Sequence, residues 1–146
     1  MRTLSKQGLD GLRLGVLAGP RPWLAEFNKV RLPYNIGVLT QASAEFALAH
    51  LALLDEQARQ IRAERERLSK SLNGLKGVQA WPSRTNFILF RVEPGDADRV
   101  FAGLRTHGVL IKNLNPSGGM LGNCLRVTVG TPEENAAFLE ALEACL

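Results

Sequence analysis

The sequence predicts an α/β protein in which a long helix links two unequal packing units, and three observations carry that expectation. From Val38 to about Asn73 the chain is nearly free of helix breakers, far longer than an ordinary globular helix. After Asn73-Gly74 and Gly77 the pattern changes to short alternating runs in the order β-β-α-β-β-α, which reads as a small sandwich with helices on one face of a mainly antiparallel sheet. Before the long helix, two short apolar runs flank a glycine-punctuated turn, the first of them reading as the end of a strand.

The first run, Arg2 to Ser5, reads as the end of a strand, and Leu12 to Ala18 as a second run closed by Gly19-Pro20. Between them stands Lys6, at a strand end, where open α/β sheets place their ligands. A lysine amine is the group that condenses with a carbonyl, as in pyridoxal phosphate (PLP) sites. Ser5 and Thr3 offer hydroxyls to a phosphate, and Arg13 a planar fork suited to two of its oxygens. Gly8 and Gly11 are expected to let the backbone turn back so that Arg13 comes beside Lys6. The same residues also fit a strand-turn-strand with a surface lysine, so spacing alone leaves both readings open.

Pro20 and Pro22 favour a helix start, and Trp23, Leu24, Phe27 and Val30 fall at helical spacing up to the break at Pro33. Pro33-Tyr34-Asn35-Ile36-Gly37 is a turn-rich link into the long helix. The first part of that helix, with Leu39, Ala42, Phe46, Ala47 and Ala49, is apolar on more than one face, as a buried helix would be. Its second part, Asp55 to Lys70, sets mixed charge around a sparse stripe of Ala58, Ile61, Leu68 and Leu72 and reads as a solvated face, with Arg62–Glu66 and Glu66–Lys70 as four-apart pairs.

In the C-terminal region strands are expected at Val78 to Trp81, Asn86 to Val92, Leu110 to Lys112 and Leu125 to Val129, with helices near Asp96 to His107 and from Pro132 to Cys145. Thr131-Pro132-Glu133-Glu134 is a helix start with a hydroxyl cap, proline at the first position and acids in the first turn. Asn115-Pro116-Ser117-Gly118-Gly119 reads as a flexible loop and not a phosphate cradle, since the lysine and helix start of such a cradle are missing. Arg126 alternates with Leu125, Val127 and Val129 and so shares a face with Thr128; a charge on a half-buried strand needs either a structural partner or a ligand anion.

Composition narrows the function classes. The 146 residues make one ordinary domain's length, able to bury roughly two thirds of the unfolded surface. Apolar content of 45% and charged content of 22% are globular values, which argues against disorder. No apolar run approaches a membrane span and the N-terminus lacks a secretory pattern, so a cytoplasmic protein is expected. The net charge of +4 is spread along the chain and does not suggest nucleic-acid binding. Cys124 and Cys145 have neither metal nor disulfide spacing and read as free thiols, and His50 and His107 read as structural. No metal cluster and no Ser-His-Asp order stands out.

The opening segment Thr3-Leu4-Ser5-Lys6-Gln7-Gly8-Leu9-Asp10-Gly11-Leu12-Arg13-Leu14-Gly15 resembles the cofactor-lysine segment of fold-type I PLP-dependent aminotransferases, closest to the histidinol-phosphate aminotransferases. The resemblance continues through Pro33-Tyr34-Asn35, Asn86 to Phe90 and Cys124 to Thr131, and so spans essentially the whole chain. It implies a C-terminal part of that fold: a remnant of the large PLP-binding domain over 1–50, a connecting helix over 51–76 and a small α/β domain over 77–146. It implies pyridoxal 5′-phosphate as cofactor, held by Lys6 with Thr3, Ser5 and Arg13, and a proton carried between the substrate Cα and the cofactor by Lys6. It makes Arg126 the grip on the substrate's acidic end. Lys112 stands where these aminotransferases typically carry an arginine for the substrate phosphate, keeping the charge but not the fork.

The implied reaction is amino transfer between histidinol phosphate and 2-oxoglutarate in histidine biosynthesis, in a homodimer, without nucleic acid or membrane partners. In the family the acid at the pyridine nitrogen lies upstream of the lysine, and Met1 stands five residues before Lys6, so the chain alone is expected to be inactive. Lys112 leaves open a related aromatic aminotransferase or a decarboxylase of a phosphorylated amino acid. A non-enzymatic interaction domain from a decayed aminotransferase is the third reading.

Overall fold

The computed structural model describes residues 2–4, 9–93 and 95–146. Two compact units divide the chain between Ala58 and Arg59, and the boundary falls inside a helix.

In the first unit, β1 (Arg2–Thr3) pairs antiparallel with β2 (Gly15–Val16), Arg2 opposite Val16 and Thr3 opposite Gly15. The Leu4 amide donates to the Leu14 carbonyl and extends the ladder by one rung. The Leu9 amide donates to the Leu4 carbonyl, and a 3₁₀ turn, Asp10–Leu12, leads into Arg13. Helix α1 (Arg21–Val30) starts at the Pro20-Arg21-Pro22 segment as expected, since proline's fixed φ suits a first turn whose amides have no helical partner. Helix α2 (Val38–Ala49) follows the Pro33–Gly37 link.

Where the sequence reads as one helix from Val38 to Asn73, the chain breaks at His50, and α3 (Leu51–Gly74) begins anew. Neither proline nor glycine causes the break. The His50 ring packs 4.3 Å from the Phe46 ring, its Nδ1 lies 2.7 Å from the Phe46 carbonyl oxygen, and its amide donates to Ala47 in a tighter turn. The ring thus takes a carbonyl that a continuing helix would have used. The apolar faces of α1 and α2 are open in this chain: Trp23 is 67%, Leu39 84% and Phe46 69% exposed, and Ala44 is the buried residue of α2. The burial expected for the first part of the long helix is absent because nothing among the described residues covers it.

The second unit is the small sandwich. Strands β3 (Gln79–Ala80), β4 (Phe87–Arg91), β5 (Lys112–Asn113) and β6 (Cys124–Thr128) form an antiparallel sheet in the order β3-β4-β6-β5. Helices α4 (Ala97–Thr106) and α5 (Pro132–Cys145) give Val100, Leu104, Phe138 and Leu142 to one core with Leu68 and Leu72 of α3 and the inward residues Ile88, Phe90, Leu125 and Val127. Strand alternation sends Phe87, Leu89 and Arg91 of β4, and Arg126 and Thr128 of β6, to the opposite face. The helix start at Thr131 is the expected one. The Glu134 amide donates to Thr131 Oγ1 at 3.3 Å and the Thr131 amide to Glu134 Oε2 at 2.8 Å, a reciprocal capping box.

Three local expectations need correction. Glu66 is taken by Arg65, 2.9 Å away, and not by Arg62 or Lys70, because Arg65 is already steadied by the Thr85 carbonyl. Glu64, read as part of a solvated face, is buried. The 115–122 segment is organised and not a free loop: two 3₁₀ turns meet at Gly118 and Gly119, both with positive φ, and Asp98 receives the side-chain amides of Asn113 at 2.7 Å and Asn115 at 2.8 Å.

Candidate functional site

On the open face of the small sheet two cations stand at one level. Lys112 is the register partner of Arg126 across β5–β6, and Leu89 is its partner across β4–β6. The two substrate-binding candidates therefore stand side by side on neighbouring strands, although 14 positions separate them in sequence. The expected strand there ends at Lys112; the observed pairing begins at it, because 109–111 swings away from β6.

Arg126 is half-buried, and its guanidinium carbon lies 4.6 Å from the centre of the Phe87 ring. Among the described residues no carboxylate pairs with Arg126 or Lys112. Like charges directly opposite on a sheet are unfavourable, and a half-buried arginine without a counter-charge is costly. Both costs are relieved when an anion sits between the two groups. The third cation of this face, Arg91, is differently placed: it lies 5.2 Å over the Trp81 ring and donates to the Met120 carbonyl at 2.7 Å, fixing β4 to the 119–121 turn. Phe87, Trp81 and Arg91 were not singled out in sequence; Phe87 meets Arg126 through the β4–β6 register, which no local pattern announces.

A buried polar bridge holds the far end of β6. Glu64 Oε2 accepts from Asn135 Nδ2 at 3.1 Å, Glu64 Oε1 accepts from Arg67, and Asn135 bonds both the amide and the carbonyl of Gly130. Glu64 and Asn135 are the buried polar residues among those described. Beside this bridge, a groove of ≈ 450 Å³ opens where 109–111 leaves β6, lined by Ile111, Thr128, Gly130, Glu134 and Phe138. It contains no cation, and its carboxylate, Glu134, serves the α5 cap, so the groove is not an anion site.

Of the cofactor-site candidates, Ser5 and Lys6 lie outside the described residues, as does the side chain of Thr3. Arg13 follows the 3₁₀ turn directly and precedes Leu14, whose carbonyl is the rung that receives Leu4. The hairpin ladder thus returns Arg13 to the level of the strand end that leads into Ser5. The left-handed backbone falls on Arg13 itself, at φ 49, and not on Gly11. A non-glycine residue held there stores conformational strain of order 1–3 kcal/mol, and such residues cluster at ligand sites.

No helix among the described residues is long and apolar enough to cross a membrane. The chain is 58% identical over 144 residues, 99% of its length and 40% of the other, to a protein named histidinol-phosphate aminotransferase 2 of Nitrosococcus oceani. It is 55% identical over its full length to a histidinol-phosphate aminotransferase 2 of Cupriavidus pinatubonensis, covering 39% of that chain. It therefore spans about 40% of the length of the curated relatives it matches. Among solved structures, a histidinol-phosphate aminotransferase from Sinorhizobium meliloti in complex with pyridoxal-5′-phosphate superposes with a TM-score of 0.81 at 27% identity, over 99% of this chain and 39% of that one. An L-threonine-O-3-phosphate decarboxylase from Porphyromonas gingivalis superposes with a TM-score of 0.80 at 27% identity, over 97% and 44%. The family model for aminotransferase class I and II matches residues 1–142, and with the α/β architecture this places the chain in the class I and II aminotransferase family.

Proposed function

We propose that this chain is the part of a PLP-dependent aminotransferase that anchors the cofactor through Lys6 and grips the acidic end of the substrate through Arg126 and Lys112. The observation that carries the reading is the cross-strand pairing of Arg126 with Lys112 on a sheet face where neither has a carboxylate partner among the described residues. Histidinol phosphate as amino donor and 2-oxoglutarate as acceptor fit it, since each carries an oxyanion for the two cations; relatives at 55–58% identity carry the first in their names. The cytoplasm and a homodimer belong to the same reading, as do the large-domain remnant over 1–50, the connecting helix over 51–76 and the small domain over 77–146.

The donor set fits pyridoxal phosphate. Lys6 would hold it by its amine, and Thr3, Ser5 and Arg13 would hold its phosphate, with Arg13 already fixed in a strained backbone beside the Leu4–Leu14 rung. The bound cofactor supplies an electron sink for the bonds at the substrate Cα. Lys6, once its amine is free, takes and returns the proton at that Cα. Arg126 and Lys112 bind the remote acid and so orient the Cα.

The test is a chimera in which this chain replaces the matching segment of the Nitrosococcus oceani relative. With PLP it should transfer the amino group of histidinol phosphate to 2-oxoglutarate, and borohydride reduction followed by peptide mapping should put the pyridoxyl label on Lys6. A label on another lysine would sink the assignment. A decarboxylase of a phosphorylated amino acid is the second reading, favoured by the Porphyromonas gingivalis neighbour. Carbon dioxide release from such a substrate, without amino transfer, would select it.

A further inference from the structure

The open face of the small sheet holds two arginines over aromatic rings, and the difference between them assigns a role to a residue not yet placed in the site. Arg91 lies over the Trp81 ring and gives one N–H to the Met120 carbonyl, while its Nε has no acceptor among the described residues. Arg126 has its guanidinium carbon 4.6 Å from the centre of the Phe87 ring and, among the described residues, no hydrogen-bond acceptor. Building on the reading of Arg126 as an anion grip, we infer that Phe87 is the positioning residue of that grip, a platform that holds the guanidinium flat while leaving its N–H edge for an oxyanion.

The chemistry favours a ring over an acid in this place. A carboxylate would also fix Arg126, but it would occupy the fork and neutralise the charge that the ligand must use. The ring attracts the cation through its π face and takes none of the N–H donors. Backbone register supplies the geometry. Phe87 is opposite Thr128 and Leu89 is opposite Arg126, so Phe87 lies on the diagonal from Arg126, within reach of a long side chain. On the other side of Arg126 stands Lys112. The ligand class is an oxyanion, phosphate or carboxylate, taken by the Arg126 edge with the Lys112 ammonium beside it.

The experiment uses the whole 146-residue chain with ¹⁵N-labelled arginine, and Arg126→Lys to identify the Arg126 Nε–H resonance. In the wild-type chain that proton should be displaced upfield by the Phe87 ring, and it should shift on titration with inorganic phosphate and, separately, with glutarate. The arm with the lower Kd names the preferred anion. Phe87→Leu should abolish the ring displacement and raise the Kd about fivefold, the equivalent of one exposed cation–π contact, while Phe87→Tyr restores both. An unchanged Kd in Phe87→Leu, with the wild type binding normally, overturns the platform and leaves the anion grip standing. Absence of binding to the wild type overturns both. If Phe87→Leu does not fold, the wild-type spectrum still decides: an undisplaced Arg126 Nε–H overturns the platform.

Discussion

Arg126 and Glu64 are two of the charges that the small unit takes partly or wholly out of water, and they are handled in opposite ways. Glu64 is satisfied inside the protein by Arg67 and Asn135, whereas Arg126 rests on a ring and has a second cation for a neighbour. The first arrangement is structural and the second fits the proposed anion grip. Removing one partner of a buried hydrogen bond to a charged group leaves the other unsatisfied. Asn135→Ala should therefore destabilise the chain by about 1–3 kcal/mol in urea unfolding followed by Trp81 fluorescence, with Trp23 replaced by Phe. Arg126→Lys should leave that unfolding curve nearly unchanged and, in the chimera, raise KM for the acidic substrate far more than it lowers kcat, because the fork is lost while the cofactor contacts stay. A stability loss in Arg126→Lys as large as that in Asn135→Ala would make Arg126 structural. The face of Arg126 was legible in the alternation of β6, but its partnership with Lys112 was not, because register depends on where 109–111 leaves the sheet. Glu64 was hidden among surface charges of the same helix, and only the fold brings Asn135 to it from 71 residues away.

Elements whose ends are set by neighbouring residues were readable; those set by distant ones were not. Helix α5 begins and ends where its cap and periodicity put it, because the capping box lies within four consecutive residues. The α2–α3 break depends on the His50 ring meeting the Phe46 carbonyl, a contact that competes with helix continuation in a way that no breaker residue announces. The order of the 115–122 turns comes from Asp98, on α4. The α5 start also carries a pH signature. The Glu133 carboxyl is held below its ordinary range, first by a hydrogen bond from its own backbone amide and second by one from the Thr131 hydroxyl. Its folded-state pKa is thus below the unfolded one, so its contribution is full above the unfolded value of about 4.3 and is lost as pH falls through the folded value. Glu133→Gln should flatten the fall in stability below about pH 4.3 and lower the midpoint slightly at pH 7, where the carboxylate's contribution is fully present. Thr131→Ala should do part of the same and also cost about 1 kcal/mol at neutral pH through the lost cap. A Glu133→Gln acid titration that overlays the wild type would rule out the shifted carboxyl.

At the scale of the whole molecule the two units differ in how their apolar residues are used. Residues 59–146 close a core around Leu68, Leu72, Ile88, Phe90, Leu125 and Leu142. Residues 1–58 bury Leu4 and Ala44, while Trp23, Phe27, Val30, Leu39 and Phe46 are all more than half exposed. A cluster of large apolar side chains on α1 and α2 is the kind of surface that drives association, because each apolar residue withdrawn from water is worth about 1.5–3 kcal/mol. The 146-residue chain alone should consequently run as a dimer or larger species in size-exclusion chromatography with light scattering, with mass rising with concentration. Trp23→Gln with Phe27→Gln should shift it toward monomer. Leu110→Gln with Met120→Gln, which change exposed residues of the second unit, should leave the mass distribution as it was. The same apolar surface should bind a hydrophobic dye, and the Trp23/Phe27 pair should remove more of that signal than the Leu110/Met120 pair. A chain that stays monomeric at high concentration, or one whose association responds to Leu110 and Met120 instead, would show that the exposed faces of α1 and α2 are not the associating surface.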